Sequence, residues 1–212
     1  MQKHTCLAAL AVLAIANTAC PIDLGLAVGT RPLLNRYEYY YYASGPSQVF
    51  GFHVLAEIPF SNTCRVSLRG GQMGASMNTT TLNASAPTDS FQTTGFDAHV
   101  VFLALVPVTQ NELKLSGGVG VGYSGCKTNR GTEEGYYDYR SSYGGLVLTL
   151  TAGTRLRLSK MVSVGIETEI IPVSVSLHEV SSGESPSVVQ YVRTQLGGGA
   201  GPTLNLSLLF TL

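Results

Sequence analysis

Apolar and polar residues alternate one by one along most of this chain, and no other feature constrains its fold as strongly. Residues 22–31 place Ile, Leu and Val at every second position, with small or polar residues between them, and residues 112–124 and 203–212 follow the same pattern. Such a period of two points successive side chains to opposite faces of a β-strand. The three segments are therefore predicted strands with one apolar and one polar face.

Five further segments repeat the pattern and bring the predicted strands to eight. The strand that ends at 212 is expected to begin as early as Val188, because Val192, Thr194 and Leu196 share the register of Leu204. A helical period of meaningful length is missing from the chain. The five further segments are 48–58, 64–75, 95–106, 145–158 and 162–172.

The predicted connections alternate between short and long, which indicates how the strands are arranged. Short turns on one side and long polar loops on the other are typical of bacterial outer-membrane barrels. With the short turns in the periplasm, both ends of the barrel chain fall on the periplasmic side. The short turns lie near 59–63, 107–111 and 159–161, and the long Gly/Ser/Thr-rich loops near 32–47, 76–94, 125–143 and 173–187.

The composition agrees with a wall that faces lipid. Charged residues make up 12% of the chain, against roughly 25% in ordinary globular proteins. Beyond the N-terminus no run of about 18–20 apolar residues occurs, so a spanning helix is not expected. The formal net charge is +0 without a long basic run, which excludes an electrostatic nucleic-acid footprint. We predict an all-β fold, an eight-stranded antiparallel up-and-down transmembrane barrel.

Tyrosine gathers on the long-loop side of this topology. Two interpretations remain open: a girdle of amphipathic rings at the membrane–water interface, or simply loops that are rich in Tyr. Ten of the 11 tyrosines lie in or beside the long-loop side, namely Tyr37, Tyr39, Tyr40, Tyr41, Tyr42, Tyr123, Tyr136, Tyr137, Tyr139 and Tyr143.

Ionisable residues avoid the apolar face of every predicted strand. A lipid-facing Arg or Lys at the bilayer midplane costs about 2–4 kcal/mol, which explains this segregation. Asp23 is among the charges on the polar face, which turns toward the lumen. The candidates for lining the lumen are His53, Glu57, Arg65, Arg69, Asp97, His99, Lys114, Arg155, Arg157, Glu167 and Glu169.

The lumen charges admit two interpretations, a polar plug that closes the barrel or a path for ions or a ligand. Register arithmetic favours paired charges: Ile58 opposite Cys64 sets Glu57 opposite Arg65 and His53 opposite Arg69. Likewise, Leu158 opposite Val162 sets Arg155 diagonal to Glu167. An eight-stranded barrel is just wide enough for side chains to fill, so unpaired charges inside it would be costly.

The N-terminus resembles a secretory signal. Lys3 and His4 precede an apolar stretch, residues 7–16, that is too short to span a membrane. We expect a signal peptide over 1–19, cleaved after Ala16 or after Ala19 with lipid attached to Cys20, and a barrel over 20–212. Both routes carry the chain out of the cytoplasm to the outer membrane.

The sequence does not predict a catalytic, cofactor or metal site. The glycines between 118 and 122 lie inside a strand pattern, where they make room for bulky neighbours instead of forming a phosphate loop. The spacing of Cys20, Cys64 and Cys126 fits no metal site. A Cys20–Cys64 disulfide and two unlinked thiols remain alternatives. We expect no cofactor, no metal and no enzymatic activity.

Taken together, the signal segment, the eight alternating strands, the loop alternation and the terminal strand 203–212 resemble the small outer-membrane barrels of the OmpW and OmpX type. The terminal strand, with Phe210 and alternating leucines, resembles a recognition signal for the barrel-assembly machinery, although it ends in Leu212 instead of an aromatic residue. The other partner expected for every such barrel is outer-membrane lipid.

The resemblance implies two functions. An OmpW-like barrel would be a narrow channel or a binding barrel for small hydrophobic molecules. Leu55, Val101, Leu103 and Leu105 are inward apolar residues compatible with that role. The OmpX likeness implies the alternative, a barrel that binds a host surface ligand through loops 32–47 and 125–143. A soluble periplasmic barrel or lipoprotein that binds an apolar ligand is the third class.

Overall fold

The computed structural model describes residues 21–32, 48–79, 89–109, 112–132, 139–182, 185–196 and 202–212. Nine strands follow one another in these ranges. None of the described residues forms a helix that is long and apolar enough to cross a membrane. The strands are β1 (Asp23–Pro32), β2 (Gln48–Pro59), β3 (Cys64–Thr79), β4 (Asp89–Thr109), β5 (Leu113–Thr132), β6 (Tyr139–Arg157), β7 (Val162–Ser182), β8 (Ser185–Leu196) and β9 (Thr203–Thr211).

All neighbouring strands pair antiparallel, and the sheet closes on itself. Each strand from β1 to β7 pairs with the next in chain order, and β9 pairs with both β1 and β7. The β7 strand uses its outer half, Val173–Ser182, for β8 and its inner half, Val162–Glu169, for β9. Because β8 and β9 together occupy one position in the ring, the fold is the predicted eight-stranded barrel, and the prediction of fold class is confirmed.

The alternation of the sequence becomes the two faces of the wall. On β9 the side chains alternate between buried and exposed, with Thr203 and Asn205 inside and Leu204 and Leu206 outside. The same alternation holds on β4, where Val101 is fully buried while Phe102 is 56% exposed. Large apolar side chains thus cover the outer surface, as a wall in contact with hydrocarbon requires.

Two short turns are fastened by serine side chains. Ser61 Oγ accepts hydrogen bonds from the backbone N–H groups of Thr63 and Cys64, at 3.2 and 3.0 Å. Ser159 Oγ accepts in the same way from Met161 and Val162, at 3.2 and 3.1 Å. These bonds satisfy backbone donors that the ladder leaves open at the strand ends.

Three of the predicted long loops are wrong in extent, because the strands continue through most of them. β3 reaches Thr79 and β4 begins at Asp89, so strand replaces much of 76–94. The predicted loop 125–143 is strand up to Thr132 and again from Tyr139. The loop 173–187 is replaced by the β7–β8 hairpin. The first two of these hairpins lack a regular apolar face, which removes the alternation by which a strand is recognised. The β7–β8 hairpin keeps the alternation, with Val175 and Leu177 exposed and Ser176 buried, but its parity differs from that of the segment before it.

The remaining predicted loop, 32–47, lies outside the described residues except for Pro32, and so do Cys20 and the expected signal segment. Of the tyrosines assigned to the outer side, Tyr123 is 40% exposed on the outer face, as a girdle requires. Tyr143 differs, because it is only 4% exposed and packs inside the barrel.

A β-bulge on β7 changes which residues of that strand face inward. Leu148 pairs with Val173 and Leu150 with Ile170, so β7 carries one extra residue between these pairs. Glu169 is buried below the bulge and Ile171 within it, whereas Ser174, Ser176 and His178 are buried above it. The extra residue therefore inverts the parity of the strand, which alternation alone does not predict.

Candidate functional site

Two ion pairs cross the lumen at its full width near the short-turn end. Arg155 of β6 holds Glu57 of β2 through two hydrogen bonds of 2.7 Å, and Arg69 of β3 holds Glu167 of β7, with Nη2 at 2.9 Å from Oε2. In each pair the two strands are four positions apart in a ring of eight, so the partners face each other across a diameter. Two-point guanidinium–carboxylate bonds of this kind fix both side chains.

A third pair extends this network toward the strand ends. Arg65 of β3 donates to Asp23 of β1, and its Nη1 lies 3.9 Å from Glu57 Oε2. Glu57 is 1% exposed and Asp23 is 6% exposed, so both carboxylates are removed from bulk water. Burial of this degree is tolerable only because each carboxylate has an arginine beside it.

The partners differ from those that the register arithmetic predicts. The first short turn is centred one residue later than expected, so Pro59 pairs with Arg65 and Glu57 with Ser67. Because this changes the pairing by two residues along β3, every side chain keeps its face while Glu57 loses Arg65 as its direct neighbour. The second predicted register is the observed one, since Arg155 pairs with Gly165. Arg155 nevertheless bonds Glu57 across the lumen, not Glu167.

Histidines and carboxylates occupy the next layer of the lumen. The His53 ring bonds Asp97, and His99 Nδ1 lies 3.3 Å from Glu169 Oε1. The two imidazole rings meet edge to face with centroids 6.0 Å apart. Since Arg69 Nη1 is also 3.8 Å from Glu169, this layer joins the ion pairs below it in one connected network.

Two of the eleven candidates lie at the rim of the barrel. Lys114, the second residue of β5, is partly exposed and pairs with Arg155 in register. Arg157 is exposed and donates to the backbone oxygens of Ser159 and Lys160, at 3.0 and 3.1 Å. Arg157 therefore fastens a turn and lies outside the network, whereas the other nine candidates lie inside the barrel.

A buried apolar cluster, which we call the outer chamber, lies on the long-hairpin side of the network. The chamber is adjoined by a cavity of about 510 Å³ that is lined by Met73, Cys126 and Tyr143 and, from the outer face of the wall, by Gln72, Thr94, Phe96, Tyr123 and Lys127. Gly95, paired in register with both Met73 and Cys126, leaves room between them, because a Cβ there would stand 3.1 Å from Cys126 Cα. The cluster consists of Met73, Cys126, Tyr143, Val147 and Ile171.

Sequence reasoning missed the outer chamber for identifiable reasons. Tyr143 falls in a segment that resembles a loop, and Met73 and Cys126 occur among polar and glycine residues instead of in an apolar run. Ile171 stands next to Ile170, so alternation alone cannot say which of the two faces inward. The available signal was parity along the strand. Met73 is an even number of residues from Arg69 on β3, and Cys126 from Ser124 on β5, so each shares the inward face of that residue.

Stacked rings continue the wall of the chamber toward the outer rim. His178 lies between Tyr143 and Tyr191, with ring centroids at 5.6 and 5.2 Å and interplanar angles of 28° and 12°. The Ser176 hydroxyl and His178 Nε2 are 2.7 Å apart and share a hydrogen bond. In register, Tyr143 pairs with His178 and His178 with Tyr191, so the three rings follow one line across β6, β7 and β8.

Known structures with this fold are outer-membrane barrels of low sequence identity. OprG from Pseudomonas aeruginosa matches with a TM-score of 0.57 at 9% identity, over 92% of this chain and 96% of that chain. A major outer membrane protein from Thermus thermophilus matches with a TM-score of 0.50 at 12% identity, over 90% and 99%. Ail, the attachment invasion locus protein of Yersinia pestis, matches at 0.41 and 14%, over 91% and 97%. Comparison with protein-family models and with curated proteins finds no match.

Proposed function

We propose that this protein is a non-enzymatic outer-membrane barrel that captures small apolar molecules in the outer chamber. The proposal rests on one observation, that the lumen is divided into two layers along the barrel axis. Arginine–carboxylate pairs cross it near the short-turn end, and a buried apolar cluster beside a cavity of about 510 Å³ lies beyond them. A volume of this size is typical of pockets for small ligands.

The outer membrane is the proposed location for three reasons. The N-terminal segment resembles a secretory signal, and the outer surface of the barrel is covered by Leu, Val and Phe side chains that water would not favour. OprG and the Thermus protein, which share the fold, are outer membrane proteins. With the short turns in the periplasm, the outer chamber opens toward the cell exterior.

The test is ligand binding by the full-length barrel in lipid nanodiscs. Titration calorimetry with decanol, corrected with empty nanodiscs, measures uptake of an apolar molecule. Val147→Asn places an amide in the chamber and is expected to weaken binding about tenfold or more, because burying an unpaired amide costs about 1–3 kcal/mol. Leu150→Asn, on the outer face of the same strand, is the matched control. Equal decanol affinity of both variants and the unmodified protein would overturn the proposal.

A second function, adhesion to a host surface, is favoured by the length of the outer hairpins. β4 and β7 each have 21 residues, whereas about 9–11 residues suffice for a strand to cross a bilayer. The β7–β8 hairpin also carries apolar side chains outward near its end, with Leu177 52% and Val192 68% exposed. Replacing both with Ser is expected to abolish attachment of cells to host matrix while decanol binding is retained. Retained attachment would exclude this hairpin as the adhesive surface.

A further inference from the structure

Arg193 is an inward-facing cation in the outer part of the barrel. It pairs in register with Ser176, which is 3% exposed and faces the lumen, so the two residues share a face. Arg193 itself is partly buried. The arginines of the inner network, Arg65, Arg69 and Arg155, each bond a carboxylate, whereas no described carboxylate lies within ion-pair distance of Arg193. Its charge is therefore available to an anion that enters from outside.

The nearest carboxylate on the neighbouring strand faces away from this site. Glu179 follows inward-facing His178 on β7 and is exposed on the outer surface, where Gln190 Nε2 donates to it at 3.3 Å. A free carboxylate inside the barrel would therefore meet Arg193 without competition from Glu179.

His178 does not add a second charge at neutral pH. It is the seventeenth residue of β7 from the short-turn end, beyond the length of strand that crosses a bilayer. Burial, together with the positive charge of Arg193, lowers the pKa of His178 below its ordinary value. The ring is thus a neutral stacking surface between Tyr143 and Tyr191, and Arg193 is the local cation.

The outer chamber and Arg193 are connected through the stacked rings. Tyr143 belongs to the apolar cluster and also stacks on His178, which shares a hydrogen bond with Ser176, the register partner of Arg193. One continuous wall therefore leads from apolar side chains to a single guanidinium. This order, an apolar floor with one cation nearer the exterior, matches a molecule with an apolar body and one anionic end.

We propose that the ligand captured by the outer chamber is a small apolar monocarboxylate, which rests on the proposed function and names its ligand class. The apolar body lies against Met73, Cys126 and Tyr143, which line the cavity, and the carboxylate binds Arg193. A guanidinium matches a carboxylate with two parallel hydrogen bonds, which a lone alcohol cannot use equally well. A doubly charged phosphate would need a second cation beside Arg193; among the described side chains, Lys127 lines the cavity but projects from the outer face of the wall.

The experiment compares three molecules of equal chain length, decanoate, decanol and decylammonium, by titration calorimetry at pH 7.5. The protein is the full-length barrel in zwitterionic lipid nanodiscs, with empty nanodiscs as the blank. Arg193→Gln removes the cation, and Lys160→Gln removes an exposed cation from the turn before β7, which does not line the cavity. The unmodified protein is expected to bind decanoate about tenfold tighter than decanol, the scale of one charge-assisted hydrogen bond, and decylammonium most weakly.

The outcomes separate this inference from the function on which it rests. If Arg193→Gln loses the preference for decanoate while decanol binding and the Lys160→Gln variant are unchanged, the ligand class is supported. Equal affinities for decanoate and decanol in the unmodified protein overturn the ligand class and leave apolar capture standing. Absence of binding by both molecules overturns the proposed function itself. Arg193→Lys, which keeps the charge without the planar fork, is expected to restore part of the preference.

Discussion

Two arginines in the lumen form hydrogen-bonded ion pairs with residues on the opposite side of the barrel, not with residues of the same hairpin. Glu57 and Arg155, and likewise Glu167 and Arg69, are distant in sequence and meet because their strands lie on opposite sides of the ring. That such charges turn inward follows from the cost of exposing them to lipid. Which arginine meets which carboxylate depends on the closed ring and on a turn centred one residue later than expected, and neither is visible in local sequence.

Replacing one partner of such an ion pair is expected to lower the free energy of unfolding more than replacing both partners. Arg69→Met leaves the partly buried Glu167 opposite an apolar side chain, and loss of one partner of a buried pair costs about 3–5 kcal/mol. The double variant Arg69→Met with Glu167→Met removes one of the two carboxylates beside Arg69 and should recover part of that loss, while Glu169 keeps His99 as its neighbour. Urea unfolding in detergent micelles measures both. Equal midpoints for the single and the double variant would contradict this account.

His178 is expected to make stability depend on pH in one direction. Its pKa is lowered in the folded protein, so the unfolded chain binds this proton at a higher pH than the folded chain does. Stability contributed by neutral His178 is therefore complete above the ordinary pKa of 6.5 and declines as pH falls below it.

The matched variant is His178→Phe, which keeps a ring between Tyr143 and Tyr191 and cannot titrate. Between pH 7.5 and pH 5, the urea midpoint of the unmodified protein should fall further than that of the variant. A parallel fall in both proteins would show that other groups carry the pH dependence.

At the scale of strands, alternation predicted where each strand crosses the membrane but not how far it continues. The predicted segment 95–106 lies within β4, and 162–172 forms the first half of β7. The missing parts of β3 to β6 are rich in Gly, Ser and Thr because a wall outside lipid has no need of an apolar face. The bulge at Ile171 and Pro172 also escaped prediction from alternation, although a proline inside a strand pattern indicates one.

Inward-facing glycines occur on β5 where side chains of the neighbouring strands leave no room for a Cβ atom. A Cβ on Gly120 would stand 2.7 Å from the Val100 oxygen and 2.8 Å from both Thr149 Oγ1 and Val101 Cγ2. At Gly117 the nearest atom, the Thr151 oxygen, is 3.9 Å away. Inward glycine on β5 therefore provides the space that β4 and β6 side chains fill.

Gly120→Ala is expected to destabilise the barrel by about 1–3 kcal/mol, the usual cost of overpacking. Gly117→Ala, on the same strand, should have a much smaller effect because its Cβ meets open space. The fraction of heat-modifiable, folded protein on a gel after graded heating measures the difference. Similar melting of the two variants would show that the inward face of β5 has spare room.

At the scale of the whole molecule, the lumen combines a charged network near the short-turn end with an apolar chamber beyond it. Sequence parity sufficed to assign nine of the eleven candidate residues to the interior, where the structure has them. The apolar chamber needed the three-dimensional fold, because its members come from β3, β5, β6 and β7 and none of these segments has a distinctive motif. A division of the lumen into layers is a property of the closed ring.

The network should keep the barrel from conducting ions. In planar bilayers the unmodified protein is expected to show no conductance steps, because side chains that bond across a diameter leave little continuous water. Replacing both Glu57 and Arg155 with Ala empties one diameter without leaving an unpaired charge, and should produce measurable steps. Glu179→Ala, which removes a carboxylate from the outer surface, serves as the control. Conductance by the unmodified protein would contradict the idea of a plug.

The position of β9 between β1 and β7 has a consequence for how the barrel closes. β1 precedes every other described strand in the chain, yet its second neighbour is the strand that follows all the others. Until β9 arrives, β1 presents an open row of backbone donors and acceptors, and so does the inner half of β7. Bringing such distant segments together is slow. During that interval, pairing between different chains competes with closure within one chain, so the yield of folded barrel is expected to fall as the protein concentration during refolding rises.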